Sequence, residues 1–203
     1  MPITSNRHQF LAGATLLLLL VGTRGQHFAT VHSLPSASWA VVFLAGVCLR
    51  PRWVLPALLA MVWTLDFAPH LVAGASLREV FEGGQAFCLS PGYLALLPAY
   101  AALWFAGRWY AQRHRQEWRS LWLLAAAALT GAAICELLSS GGFYLFSGRF
   151  AEPHFSEFAG RLIAYFPRSL QSMASYVAAA VVIHLLLVLA GKVAEGHKPT
   201  AAP

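Results

Sequence analysis

Apolar residues run through this chain in six stretches, separated by short polar or proline-bearing breaks. They fall at about 9–23, 36–49, 53–73, 92–111, 118–139 and 169–191. A bilayer core is crossed by roughly 20 helical residues, so each stretch spans or nearly spans one, and the pattern predicts six transmembrane helices. The second is short. Pro35, Pro51, Pro56 and Pro69 crowd the ends of the second and third, where proline breaks or kinks a helix. Composition agrees with the pattern: of 203 residues 58% are hydrophobic and 11% charged, and the mean hydropathy is +0.59. The expectation is an all-α integral membrane protein with one six-helix domain over 1–191 and a tail over 192–203.

Charge sets the orientation. With the N-terminus inside, the cytoplasmic segments hold Arg7, Arg50, Arg52, Arg108, Arg113, Arg115, Arg119, Lys192 and Lys198. The outer loops hold only Arg24, Arg78, Arg149, Arg161 and Arg168, so the positive-inside rule places both termini in the cytoplasm. The net charge of +6 is then explained by anchoring at the inner surface of the lipid bilayer, and no nucleic-acid partner is needed. The first stretch, although preceded by Arg7, reads as a retained helix, because Gly22-Thr23-Arg24-Gly25 is a poor small-residue cleavage site.

That topology puts three loops outside, over 24–35, 74–91 and 140–168, and most of the distinctive chemistry lies in them. The first carries His27 and His32, and the second carries Cys88 in Gly83-Gly84-Gln85-Ala86-Phe87-Cys88-Leu89-Ser90-Pro91-Gly92-Tyr93. The third carries Tyr144, Arg149, His154, Arg161 and Tyr165. Cys48 and Cys135 fall among Ala, Leu and Val, where a free cysteine is usually a small buried hydrophobe. Cys88, between glycine and proline breaks, is the candidate working thiol, as nucleophile or soft metal ligand.

Two carboxylates, Asp66 and Glu136, fall within predicted spans, where a charge needs a partner or a role. Arg149 and Arg161 are the expected partners if no polar ligand takes that place. Single histidines such as His27 and His32 are more often rim residues than ligands, and no HExxH or CxxC supports a closed zinc site. Gly83-Gly84 and Gly141-Gly142 lack a following Lys-Ser/Thr, so they read as hinges rather than phosphate loops. Trp39, Trp53, Trp104, Trp109, Trp118 and Trp122 read as an interfacial belt. Phe87, Tyr93, Phe143, Tyr144 and Phe146 border the outer loops and could wall an apolar ligand.

A chain of 22.0 kDa with six helices, cytoplasmic termini and long outer loops resembles the substrate-binding S component of energy-coupling factor vitamin transporters. The run Cys88-Leu89-Ser90-Pro91-Gly92-Tyr93 is similar to the pattern of the solitary cobalamin-specific branch, the BtuM family. The resemblance implies a protein of the inner membrane with an outward cavity that takes up cobalamin as substrate. It implies that the Cys88 thiolate is the axial cobalt ligand, a role that could extend to removing cyanide from cyanocobalamin. Tyr93, Arg161 and Arg149 would meet the corrin ring, its amides or its phosphate, and His27, His32, Asp66, Phe87 and Tyr144 would line the cavity.

One departure is in the first helix. S components commonly present small residues four apart there for docking on a coupling subunit, whereas Ala12, Gly13 and Ala14 are followed at that spacing by Leu16, Leu17 and Leu18. The chain has no ATP-binding motif, so it borrows an energy-coupling ATPase module or works alone. The rival from another class is an intramembrane cysteine peptidase or transpeptidase, with Cys88 as nucleophile and His27, His32, His70 or His154 as base. A purely structural membrane partner is the third reading.

Overall fold

A computed structural model describes residues 6–24, 35–72, 74, 91–115, 117–148, 150 and 152–196. Helices fall in all six apolar stretches: α1 Asn6–Arg24, α2 Ser38–Cys48, α3 Val54–Val72, α4 Leu96–Arg113, α5 Arg119–Phe146 and α6 Phe155–Gly196, with a 3-10 turn Pro91–Ala95 leading into α4. No strand occurs among the described residues. By length and composition, α5 and the Phe155–Gly191 part of α6 can cross a membrane, whereas α2 and the Val54–Ala68 part of α3 are shorter apolar helices.

The short α2 is the centre of the fold. It is apolar on all sides, and such a helix belongs in a core; Ala40, Val41, Val42, Phe43 and Ala45 are fully buried. It packs on α4, α1, α6, α3 and α5. Glycine makes the closest of these contacts possible. A Cβ on Gly46 would stand 2.4 Å from the Trp104 carbonyl oxygen, and one on Gly107 only 2.2 Å from that of Phe43, so α2 and α4 touch backbone to backbone. Glycines of α5 make two more close contacts, Gly131 against the Ala106 side chain of α4 and Gly142 against that of Ala95 in the turn before it.

Pro56 and Pro98 do not interrupt their helices, because both stand third in their helix, in the first turn, where a backbone N–H has no intrahelical acceptor. Pro167 is different: it lies inside α6, where its ring removes the hydrogen bond to the Ile163 carbonyl.

Three expectations are corrected here. The third outer loop is mostly helix: α5 runs on to Phe146 and α6 starts at Phe155, so Tyr144, Arg161 and Tyr165 are helical residues. Gly141-Gly142 is not a hinge, because Gly142 is buried where α5 packs on the turn Pro91–Ala95. Trp104 leaves the interfacial belt for the core, being 4% exposed.

The end of the bundle that holds Arg108 and His114 is tied by specific polar contacts. Arg108 donates to the carbonyls of Leu49 (2.6 Å) and Arg50 (2.7 Å), which follow the last turn of α2. In the turn between α4 and α5, His114 Nδ1 lies 2.8 Å from the Tyr110 hydroxyl and 3.0 Å from that of Ser120, which also accepts the Arg115 N–H. Burial holds the His114 pKa below its ordinary value, and the charge of His184 acts in the same direction. The folded turn therefore favours the neutral ring. Its contribution is complete above about pH 6.5 and is lost as the pH falls from there through the lower folded pKa. The apparent melting temperature of the wild type should fall more steeply between about pH 7 and pH 5 than that of His114→Gln; parallel profiles would show that the ring adds no pH dependence.

Candidate functional site

The polar residues of the opposite end converge on one ion pair. Arg24, the last residue of α1, donates from Nε to Asp66 Oδ1 (2.7 Å) and from a terminal nitrogen to Oδ2 (2.6 Å), a two-point pairing of guanidinium and carboxylate. Its other terminal nitrogen donates to Ser38 Oγ (2.9 Å) and to the Tyr100 hydroxyl (2.8 Å). The Tyr93 hydroxyl donates to Asp66 Oδ2. One cation and one anion thus join α1, α2, α3, α4 and the turn before α4. The side chains of Arg24 and Asp66 are 16% and 19% exposed, so the pair is largely dry and its charges have little water to fall back on.

Local sequence explains how Tyr93 is held. Trp63, Asp66 and Phe67 are spaced three and four apart, so they share one face of α3. Both rings meet Tyr93, Trp63 at 6.0 Å and Phe67 edge-on at 6.1 Å between centroids. The tyrosine is therefore clamped by two rings while its hydroxyl reaches the carboxylate. Gly92 permits the turn's approach to α5, since a Cβ there would stand 2.6 Å from the Gly142 carbonyl oxygen.

A second group forms where α5 meets α6. The Tyr144 hydroxyl donates to Glu157 (3.0 Å) and accepts the His154 N–H (2.9 Å), and its ring packs on Phe150 and Phe158. Arg161 lies over Phe150 at 4.8 Å and near Tyr165 at 5.7 Å, with Glu157 at 4.0 Å. Arg161, Tyr165, Phe158, Phe143, Ser139 and Ser140 line a cleft of about 280 Å³. The His154 ring sits 2.8 Å from the Glu152 carbonyl. The buried Glu136 accepts a 2.5 Å hydrogen bond from Ser140, one helical turn on.

Of the residues singled out by sequence, Asp66 and Tyr93 are in contact, while Arg161 and Tyr144 belong to the second group. Cys88, Phe87, His27, His32 and Arg149 lie outside the described residues, as do Gly83-Gly84 and the side chain of His70. The expected partners of the carboxylates are revised. Asp66 pairs with Arg24, and Arg161 sits beside Glu157 rather than Asp66 or Glu136. Arg24, Tyr100 and Ser38 escaped the sequence reading. An aspartate inside a span with one arginine at the end of a neighbouring span was the available signal for Arg24. Cys48 and Cys135 are free thiols, and Cys135 is fully buried, as its apolar surroundings suggested. Among the described residues no three His, Cys, Asp or Glu side chains gather as metal ligands.

No family model matches the chain, and no curated protein matches it.

Proposed function

We propose that this chain is a multi-pass protein of the inner membrane, with both termini cytoplasmic, that captures cobalamin from the outer side through a Cys88–cobalt bond. The observation that carries this reading is the anchoring of Tyr93 by Asp66 and Arg24. Tyr93 follows Cys88 by five residues, so the segment with the thiol joins a turn whose aromatic side chain is fixed on a dry ion pair. A site residue fixed before the ligand arrives, as Tyr93 is, has less freedom to lose on binding.

The chemistry suits the residues. A thiolate is a soft, strongly donating ligand for a cobalt corrinoid. When sulfur donates its electron pair to cobalt, the group on that axial face leaves with its own pair, either the neutral nucleotide base or cyanide as CN⁻. Uptake and decyanation can then share one ligand exchange. Arg161 and Tyr165, which line the second cleft, offer a donor and an aromatic wall to the amide fringe of the ring, and the buried Tyr144 supports that wall from behind Phe158. The chain is the substrate-binding component in this reading, and an energy-coupling ATPase module is the candidate partner.

An absorption spectrum tests the proposal. Purified protein in detergent, given cyanocobalamin, should retain the corrinoid with shifted visible bands, and Cys88→Ala should lose the shift and most of the bound pigment. Failure of both proteins to retain a corrinoid would sink the reading.

A further inference from the structure

A cleft of about 400 Å³ adjoins the ion pair on the side away from Tyr93, between α6 and the start of α2. Arg24, Ser36, Ser38, Arg168, Ser169 and Ser172 supply its polar lining. We infer that this cleft is a subsite for a phosphodiester, the group that carries the one negative charge of cobalamin's nucleotide loop; the inference rests on the corrinoid reading and deepens it.

Three features support it. The first is charge: Arg24 is neutralised by Asp66, whereas Arg168 is exposed and its side chain has no hydrogen bond or ion pair among the described residues. Among the described residues the cleft thus has one uncompensated positive charge, which matches a monoanion and not the neutral amides of a corrin. The second is the grouping of its hydroxyls. Ser38 Oγ accepts from Arg24 and lies 3.0 Å from Ser36 Oγ, which also takes the Ser38 N–H at 3.4 Å, so the two hydroxyls and the guanidinium form one hydrogen-bonded wall of the cleft. Ser169 stands beside Arg168 on the facing wall, with its hydroxyl unpaired among the described residues. The third is rigidity. The Ser172 and Tyr176 hydroxyls donate to the carbonyls of Ser36 (2.8 Å) and Pro35 (2.7 Å), fixing the wall against α6 before any ligand arrives.

The test compares two corrinoids on the full-length protein: cyanocobalamin, and dicyanocobinamide, which lacks the phosphodiester and the base. A charge-assisted contact to phosphate predicts that Arg168→Gln weakens cyanocobalamin binding by about tenfold or more and leaves cobinamide binding unchanged. Ser169→Ala should act in the same direction and less strongly, and elution as a single species controls for folding. A phospholipid headgroup is the other source of a phosphodiester, so co-purifying phosphatidylglycerol is measured by mass spectrometry in the same samples. Loss of that lipid from Arg168→Gln, with both corrinoids unaffected, would assign the cleft to lipid and overturn the nucleotide-loop assignment. Equal effects on the two corrinoids, or no change in corrinoid or lipid, would overturn the subsite altogether. Absence of binding of either corrinoid to the wild type would instead overturn the corrinoid reading and the nucleotide-loop assignment with it.

Discussion

Asp66→Leu is expected to lower the stability of the purified protein by about 3 kcal/mol, because it strands a largely buried guanidinium. For a chain of this length that is a fall of roughly 10 °C in apparent melting temperature. The substitution removes both carboxylate acceptors of Arg24 and the acceptor of Tyr93, leaving the arginine, among the described residues, with only the Ser38 and Tyr100 hydroxyls. The decisive comparison is with Arg24→Met/Asp66→Leu. Once both charges are gone no ion is stranded, so the double variant should recover a large part of the loss. Additive losses would mean that the two side chains act independently and that the pair does not organise this end of the bundle.

A second large effect is expected from a single methyl group. Gly107→Ala puts a Cβ 2.2 Å from the Phe43 carbonyl oxygen, and a main-chain atom cannot swing aside as a side chain would. The α2 and α4 helices must move apart, at a cost of about 3 kcal/mol or more. Gly160→Ala is the matched control, because nothing lies within 4 Å of the added carbon and alanine is the better helix former by about 1 kcal/mol. Thermal unfolding monitored by tryptophan fluorescence should show opposite shifts for these two substitutions. Equal behaviour would mean that the crossing is looser than its geometry indicates.

What was legible in the sequence followed from how local each signal is. Apolar runs report burial or lipid contact residue by residue, so the helices fell where hydropathy put them, and the start of α2 shifted only from about 36 to Ser38. The extent of α6 was hidden because Glu157, Arg161, Pro167 and Arg168 break the apolar run, while backbone hydrogen bonds continue through polar residues. Gly142 misled for a related reason: glycine marks hinges and close contacts alike, and only the neighbour, Ala95, distinguishes them. At the candidate site, Asp66 was visible as a charge in an apolar stretch. Its partner was not, because the two residues are 42 positions apart and no spacing rule joins them.

The length of α6 also bears on how it meets the bilayer. Its 42 residues extend roughly 63 Å at 1.5 Å per residue, about twice the thickness of a hydrocarbon core. Only 11% of an apolar 18-residue stretch within Phe155–Gly191 is buried inside the fold, against 33% for the corresponding stretch of α5.

The ion pair has a further consequence, for the way the chain is made. Arg24 ends α1 and Asp66 lies in the second half of α3, so in the multi-pass reading proposed above they meet only if both helices cross in the same direction. At a synthesis rate of about 5–20 residues per second, the 42 positions between them take roughly 2–8 s to emerge. For that interval the arginine has no carboxylate partner, and in that reading it must keep its charge near water. In the same reading, a chain whose third helix is inverted or left out would be marked by an unpaired cation, and closure of the pair would distinguish the correctly inserted chain.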